Sequence, residues 1–432
     1  MIDFTPSPSQ LSARKAAAGF ASTVLRGAHA SYTSLPNDGF SRFLSTRPLF
    51  EAATRLGVVR TLVPPHLGGA GGTLLESALV TEELFAEEPG ASLNLLTISL
   101  GLMPVFFSGV DEDVQRELAA PFLKGEGAPL AAFQWSEPGG TANLLEVGGE
   151  GIRTTARLEG EEWVVDGEKI WAGNCAGWDG RGADVQTIFC RDASSSDEDP
   201  VSSAMLIALP RAVLDANDPS AFTVLEYKQT PGLTVHCGPR VSFYSLRIPA
   251  RYVLARGEAA VKAVDLAFAA TGAMVGAMGV GIMRAAFREA LTFARTQTRG
   301  GVVSVLERQS AADLLISLKT RIDTVRLLSW RAAHALDTGA ANAVELCSQA
   351  KIYGSEEAGK GVAEAMRVIG ISSWSSEYPF ERLVQEAAVL PVFDGGNQGV
   401  RRRVVQRAML REDYDPFLGF REEETPSEVD GR

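Results

Sequence analysis

One acidic residue near the end of the chain has the surroundings that a catalytic base requires. Asp394 lies in the segment 391–403, PVFDGGNQGVRRR, after an apolar run and before two glycines. Ionising a carboxyl group in apolar surroundings is costly, and a nearby cation reduces that cost. An acid that stays ionised there could act as a general base. The glycines would let a flat ligand or substrate approach the backbone closely.

The arginines that follow Asp394 differ in where they would point. If Asn397 caps a helix and each residue advances by about 100°, Arg401 falls in the middle of an apolar face, and the other arginines fall on other sides. That face also holds Val400, Val404, Val405, Ala408 and Met409. A buried guanidinium needs an anion, and Asp394 is the nearest candidate. The pair could be purely structural, or it could keep Asp394 ionised as a base.

The bulk composition excludes some classes of partner. The chain has 432 residues, a formal net charge of −12 and no long basic block, which argues against nucleic acid or an anionic membrane surface. The N-terminus lacks the basic start and apolar core of a secretion signal, so a cytoplasmic location is expected. The four cysteines are scattered, which suits a reducing compartment, and the four histidines are equally dispersed, so no metal site is expected.

The longest uncharged run, 266–283, is better explained by a buried helix than by a membrane span. Its length of about 18 residues touches the lower limit for crossing a bilayer. Alanine and glycine dominate it, however, and small residues permit close packing. We therefore expect this run to form a helix inside a bundle.

The hydrophobic pattern divides the chain into helical, β and helical regions. Apolar spacings of three and four residues predict helices at 11–32, 47–63, 74–88 and 111–125. Turn signals predict two hairpins within 151–174, with turns at 159–161 and 166–167. Further strands are predicted at 183–190, 204–210, 222–227 and 241–249. The predicted domains are an N-terminal α-helical domain (1–128), a central β domain (129–250), a C-terminal helical domain (251–415) and a polar tail (416–432).

Three stretches resemble the acyl-CoA dehydrogenase superfamily of flavoproteins. They are WSEPGGTAN at 135–143, WVVDGEKIWAGN at 163–174 and FDGGNQGVRRR at 393–403. The first two are typical of the whole superfamily, whereas the third is most similar to its nitroalkane oxidases. The resemblance runs over nearly the whole chain.

The resemblance implies an α+β fold in which a helical domain and a β domain precede a four-helix bundle. It implies FAD bound between the β domain and the bundle, partly across a subunit interface, in a homotetramer. It also implies three catalytic residues. Asp394 matches the base, Arg401 matches the arginine that pairs with it, and Thr271 matches a serine that hydrogen-bonds to the base.

The same resemblance assigns contacts to the FAD. Those from the central region are Gln134, Trp135, Ser136, Thr141, Ala142, Asn143, Trp171, Ala172 and Gly173. Those from the helical region are Arg299, Arg308, Gln309, Val368, Ile369, Gly370, Gly395 and Gly396. Position 173 departs from the family pattern, which has Ser or Thr there with a hydroxyl on flavin N5. Glycine cannot supply that hydroxyl.

The implied reaction is FAD-dependent oxidation of neutral nitroalkanes to aldehydes or ketones, with release of nitrite and hydrogen peroxide. Asp394 would remove the proton next to the nitro group, the carbanion would add to flavin N5, and O2 would reoxidise the cofactor. Two alternatives stay open. One is an acyl-CoA dehydrogenase or oxidase acting on a CoA thioester, and the other is a flavin-binding scaffold without catalysis.

Overall fold

The N-terminal part of the chain is helical. The structure, a computed structural model, describes residues 5–195 and 199–416. The N-terminal helices are α1 (Pro8–Phe20), α2 (Ala28–Thr33), α3 (Gly39–Ser45), α4 (Arg47–Arg55), α5 (Leu74–Glu87), α6 (Pro89–Phe107) and α7 (Glu112–Leu123). Helix α5 begins with a capping box, in which the side chains of Thr73 and Glu76 each accept a hydrogen bond from the other's backbone N–H.

Two predictions for this region need correction. The helix predicted over 11–32 is interrupted, because α1 passes into a π-helical turn (Ala21–Leu25) and Gly27 then takes a left-handed φ of 85°. Helix α6 was not predicted at all. It is buried along most of its length, so no polar face alternates with an apolar one and the helical period is missing from the sequence.

The central region forms one mixed sheet within the described residues. Its strands are β1 (Ala131–Gln134), β2 (Thr155–Glu159), β3 (Glu162–Lys169), β4 (Val185–Asp192), β5 (Ala204–Pro210), β6 (Phe222–Glu226), β7 (Arg240–Pro249) and β8 (Val253–Arg256). A short helix, α8 (Arg211–Ala216), follows β5. The strand order is β6-β7-β3-β2-β4-β5-β8, and β1 pairs with β4 in parallel.

The second predicted hairpin is wrong. Strand β3 runs straight through Asp166 and Gly167, and its pairing with β7 is irregular between Val165 and Gly167. Gly167 has a φ of 147°, and a Cβ there would lie 2.6 Å from the Cα of Thr154. The Asp-Gly pair therefore marks a bulge inside a strand and not a turn.

Long helices make up the C-terminal region. They are α9 (Gly257–Thr296), α10 (Gln309–Asp337), α11 (Ala343–Ile369), α12 (Phe380–Val389) and α13 (Arg402–Met409). As predicted, the run 266–283 lies inside the bundle, within α9. Its glycines permit close packing, since a Cβ at Gly279 would lie 2.7 Å from the carbonyl oxygen of Gly354.

Within residues 5–195 and 199–416, two helices, α6 and α9, are long and apolar enough to cross a membrane. However, 67% and 83% of their most apolar windows are buried within the protein, as in core helices. The predicted α+β fold class is confirmed. The domain boundaries at 128 and 250 stay a prediction, and the predicted tail lies almost wholly outside the described residues.

Candidate active site

Arg401 and Asp394 form a buried pair on the loop before α13. The Nη2 of Arg401 donates to Oδ2 of Asp394 at 2.8 Å, and the two side chains are 2% and 6% exposed. The other donors of Arg401 reach two backbone carbonyls, with Nη1 2.7 Å from the oxygen of Phe268 and Nε 3.1 Å from that of Asp394. The guanidinium is therefore satisfied on several sides, as a buried charge must be.

The backbone around this pair is unusual. Residues Asn397–Arg401 form a π-helical turn, a feature frequent at functional sites. Asp394 has a φ of 50°, a left-handed conformation that costs about 1–3 kcal/mol and persists where the surroundings enforce it. Asn397 does not cap the helix as predicted. Its Oδ1 instead accepts from Nζ of Lys351 at 2.8 Å.

Thr271, on α9, supports the carboxylate from the opposite side. Its Oγ1 lies 2.9 Å from Oδ1 of Asp394 and donates to it. Each carboxylate oxygen thus accepts one hydrogen bond from a side chain. Because an ionised carboxylate has about four lone-pair sites, Asp394 keeps capacity to accept a proton.

The pKa of Asp394 lies above its ordinary value of 3.8. Burial raises it, while the charges of Arg401 and Lys351 and the Thr271 hydroxyl lower it without cancelling the effect of burial. A carboxylate with a raised pKa that remains able to ionise is a better base at neutral pH than an ordinary one.

Lys351 was not among the predicted site residues. It lies on α11, is fully buried, and its Nζ donates to Asn397 and to the carbonyl of Pro391, so it holds the loop that carries Asp394. Burial lowers the pKa of Lys351 to about 7. A lysine in a helix is usually a surface residue, and nothing in the local sequence marks this one as buried.

Aromatic rings and a polar loop close one side of the site. Trp135 packs edge-on against Phe268 at 5.1 Å, and the Arg401 guanidinium carbon lies 5.4 Å from the Phe268 ring centroid. A cavity of about 90 Å3 lies beside them and extends to Thr141 and Ala142.

Arg403 ties the same loop to α13. Its Nη1 donates to the oxygen of Ala142 at 2.8 Å and its Nη2 to Oδ1 of Asn143 at 2.5 Å. Thr141 is buried, whereas Ala142 and Asn143 are exposed. Sequence reasoning placed Arg403 away from the apolar face but gave it no role.

The end of β3 presents an exposed aromatic ring. Trp171 is 55% exposed and has a φ of 67°, which is rare for a bulky residue and commonly marks a functional site. Ala172 and Gly173 follow it into the interior. Ser136 is joined to this strand end, because its carbonyl accepts from the N–H of Ile170 at 2.9 Å.

Gln134 is more deeply placed than the other predicted cofactor contacts. Its side chain is fully buried, and its Nε2 donates to Oε1 of Gln186 at 2.8 Å. Its own Oε1 has no hydrogen-bond partner among the described residues. The side chain faces the protein interior, so contact with a ligand would fall to its backbone.

A second group of predicted cofactor residues lies elsewhere in the molecule. Arg299 donates from Nη2 to the oxygen of Ile369 at 2.5 Å, which brings 299 next to 368–370. Arg308 and Gln309 are exposed at the start of α10. Thr271 and Thr296, the last residue of α9, are about 38 Å apart at 1.5 Å per residue. One chain therefore does not bring this group to Asp394.

The residues present fit an FAD divided between two such groups. The exposed Trp171 ring suits an isoalloxazine, and the exposed Arg299 and Arg308 suit a pyrophosphate. Gly370 and Gly395, both with positive φ, leave backbone open to close approach. Gly395 and Gly396 adjoin the base, so they belong to the Asp394 group.

Two family models match the chain. The acyl-CoA dehydrogenase N-terminal domain matches residues 7–126, and the acyl-CoA dehydrogenase C-terminal domain matches residues 261–410. Nitroalkane oxidase of Podospora anserina is 44% identical over 422 residues, covering 96% of this chain and 98% of that protein. Nitroalkane oxidase of Fusarium oxysporum is 42% identical over 427 residues, covering 96% and 97%.

Solved structures agree with the sequence relatives. The structure of Podospora anserina nitroalkane oxidase superimposes with a TM-score of 0.94 at 43% identity, covering 98% of this chain and 100% of that one. A nitroalkane oxidase in complex with the competitive inhibitor spermine gives a TM-score of 0.93 at 41% identity, covering 96% and 99%. Butyryl-CoA dehydrogenase of Megasphaera elsdenii, at 22% identity and a TM-score of 0.82, shares the fold. The chain belongs to the acyl-CoA dehydrogenase superfamily and, within it, to the family of the nitroalkane oxidases.

Proposed function

We propose that the protein oxidises neutral nitroalkanes to aldehydes or ketones. One nitroalkane, one O2 and one water would give one carbonyl compound, nitrous acid and hydrogen peroxide. The observation that carries this proposal is the Asp394 carboxylate, buried and held by Arg401 and Thr271, in a chain more than 40% identical to nitroalkane oxidases. A binding scaffold without catalysis would not need a strained, buried and incompletely bonded acid.

Asp394 would act first, as the general base. It would take the proton from the carbon next to the nitro group, leaving a carbanion stabilised as the nitronate. Its raised pKa favours proton transfer to it, while Arg401 keeps it available as the carboxylate. Arg401 and Thr271 also fix its orientation, because each of them bonds to a different carboxylate oxygen.

FAD, when bound, would supply the redox chemistry by accepting the electrons of the carbanion and passing them to O2. Trp171 and the loop 141–143 would hold it near the base. Arg403 fixes that loop against α13, so the same helix region would position both the base and the cofactor loop.

A homotetramer, or at least a dimer, is part of the proposal. Arg299, Arg308 and Gly370 lie far from Asp394 within one chain, so they would complete the cofactor site of a partner copy. Exposed apolar residues lie near this group, namely Val302, Ile371 and Trp374. Exposed apolar patches of this kind mark interaction sites, which supports a subunit interface there.

A cytoplasmic location also remains part of the proposal. All four cysteines are buried free thiols. This state suits a reducing compartment.

Anaerobic addition of nitroethane to the purified yellow protein tests the reaction. We expect the flavin absorbance to bleach, and nitrite and acetaldehyde to appear in proportion to enzyme. After oxygen is admitted, the absorbance should return with hydrogen peroxide. Bleaching by acyl-CoA thioesters with no nitrite from nitroethane would instead identify an acyl-CoA dehydrogenase or oxidase.

A further inference from the structure

Gly173 is a glycine because an imidazole ring fills the space of its side chain. A Cβ at this position would lie 2.4 Å from Cε1 and 3.0 Å from Nε2 of His236, and 3.1 Å from Cγ2 of Thr97. The φ of Gly173 is not positive, so its backbone conformation does not require glycine. Steric exclusion by His236 does.

The imidazole is held in one tautomer. Its Nδ1 lies 2.6 Å from Oδ1 of Asn94, and Nδ2 of Asn94 donates to the carbonyl of Val235 at 2.9 Å. The amide group of Asn94 therefore turns its oxygen towards the ring, and Nδ1 carries the hydrogen. Nε2 is left with a lone pair, on the edge of the ring that lies against Gly173.

The ring is neutral at physiological pH. Burial lowers the pKa of His236 to about 4. Asn94 is itself fully buried, and its backbone carbonyl accepts from Nδ2 of Asn174 at 2.9 Å. The ring and the strand end at 173–174 are thus fixed to the same residue of α6.

We propose that His236 provides the contact to flavin N5 that a Ser or Thr side chain at position 173 would otherwise make. The inference rests on the proposed function only in requiring FAD at the end of β3. A hydroxyl can donate to the oxidised N5 and accept from the reduced N5–H, whereas the Nε2 lone pair can only accept. His236 therefore stabilises the reduced flavin selectively, which a serine or threonine would not.

The reduction potential of the bound FAD tests this assignment without using turnover. His236→Ala removes one hydrogen bond from the reduced state, so the oxidised form should gain roughly 2- to 10-fold. This change corresponds to a two-electron potential about 10–30 mV lower. His29→Ala is the matched control, since His29 is also half-buried and neutral, with its pKa lowered to about 4, and it lies outside the site.

A second pair of variants tests whether a side chain at position 173 and the His236 ring compete for the same space. Gly173→Ser alone should overlap the imidazole and lower the Tm by about 2–10 °C, as overpacking does. Gly173→Ser combined with His236→Ala should lose most of that penalty, but the potential should stay near that of His236→Ala, because the hydroxyl can bond to N5 in both redox states. Apoprotein serves for the Tm comparison, so the test survives even if His236→Ala binds FAD weakly.

Failure of this proposal can be distinguished from failure of the proposed function. Equal potentials in the wild type and His236→Ala, or an equal cost of Gly173→Ser with and without His236, would overturn the proposal. A shifted potential in an enzyme that releases no nitrite from nitroethane would leave this inference standing and remove the proposed function instead.

Discussion

Two buried ion pairs in the described part of the chain have the same length, yet the pKa values of their acids shift in opposite directions. Lys169 and Glu137 are 2.8 Å apart with side chains 0% and 4% exposed, and Arg401 and Asp394 are also 2.8 Å apart and nearly as buried. Yet the pKa of Glu137 is lowered from 4.5, whereas that of Asp394 is raised from 3.8.

The balance between burial and the surrounding hydrogen-bond donors and charges accounts for the difference, since burial prevails at Asp394 and not at Glu137. Burial alone would raise the pKa of Glu137, but it accepts from Lys169 and from the backbone N–H groups of Arg153 and Thr154, at 2.8 Å and 3.0 Å. Among the described residues, the Asp394 side chain accepts from Thr271 and Arg401 alone. Glu137, with three donors, is held ionised as a structural group, whereas Asp394, with two, keeps the raised pKa that suits a base.

Asp394→Asn should lower turnover more than any other variant. Nitrite release from neutral nitroethane should fall by about 100- to 10,000-fold, since an amide cannot accept the proton. FAD content should stay at the wild-type level, because Asp394 has no structural role in holding the cofactor. Steady-state nitrite assays measure this, and wild-type turnover in the variant would show that another group is the base.

Glu137→Gln should have its effect on stability. Lys169 would be left buried without its counter-charge, which typically costs about 3–5 kcal/mol of the free energy of unfolding. Asp394→Asn also removes the counter-charge of a buried cation, but Arg401 keeps its hydrogen bonds to the backbone carbonyls of Asp394 and Phe268, and burial disfavours the ionised Asp394, so the loss in its free energy of unfolding should be smaller. Urea denaturation of both apoproteins at pH 7 makes the comparison, and equal losses would contradict the distinction drawn between the two pairs.

The pH dependence of these stabilities should also differ in sign. Because the pKa of Glu137 is lower in the folded state, its contribution is present above the unfolded pKa of 4.5 and is lost as the pH falls towards the folded pKa. Asp394 has the higher pKa in the folded state, so its ionisation destabilises the fold as the pH rises above 3.8.

Arg401→Lys should reduce both activity and stability despite keeping the charge. An ammonium cannot donate to Asp394 and to the carbonyl of Phe268 at the same time, as the two Nη groups of the guanidinium do. Each buried group left unbonded costs about 1–3 kcal/mol. We expect kcat/KM to fall by roughly tenfold or more. Arg402→Lys is the control, since Arg402 is an exposed neighbour paired with Glu356, and it should behave like the wild type.

Lys351→Met should have the smallest effect on the base itself, seen in the pH profile. Removing this cation takes away one influence that lowers the pKa of Asp394, so the rising limb of log kcat/KM should move to higher pH. Lys360→Met, which removes an exposed lysine paired with Glu357, should leave the limb in place. A limb shifted to lower pH would contradict the role given to Lys351.

The Asp394–Arg401 pair was predicted from the sequence, but Lys351 and His236 were not. The inward direction of Arg401, inferred from helical periodicity, is confirmed, but the rest of the predicted apolar face is not buried, and Met409 is 56% exposed. Lys351 and His236 were missed because their partners, Asn397 and Asn94, are 46 and 142 residues away in the chain. Contacts between residues far apart in the sequence form only when the helices and strands pack, so the local sequence does not predict them.

The strand and helix predictions failed for local reasons. Asp166–Gly167 has the composition of a turn, but tertiary pairing with β7 keeps it in a strand as a bulge. Helix α6 has no amphipathic period because it is surrounded by protein. The cofactor residues around Arg299 were assigned through the family resemblance. Their distance from Asp394, however, depends on the length of α9.

Anaerobic flavin reduction in Asp394→Asn, measured with neutral nitroethane and with its preformed nitronate, separates proton removal from the redox step. Neutral nitroethane should reduce the variant about 100- to 10,000-fold more slowly than the wild type. The preformed nitronate, which needs no deprotonation, should reduce both at similar rates. Equal slowing with both forms would contradict the claim that Asp394 removes the proton.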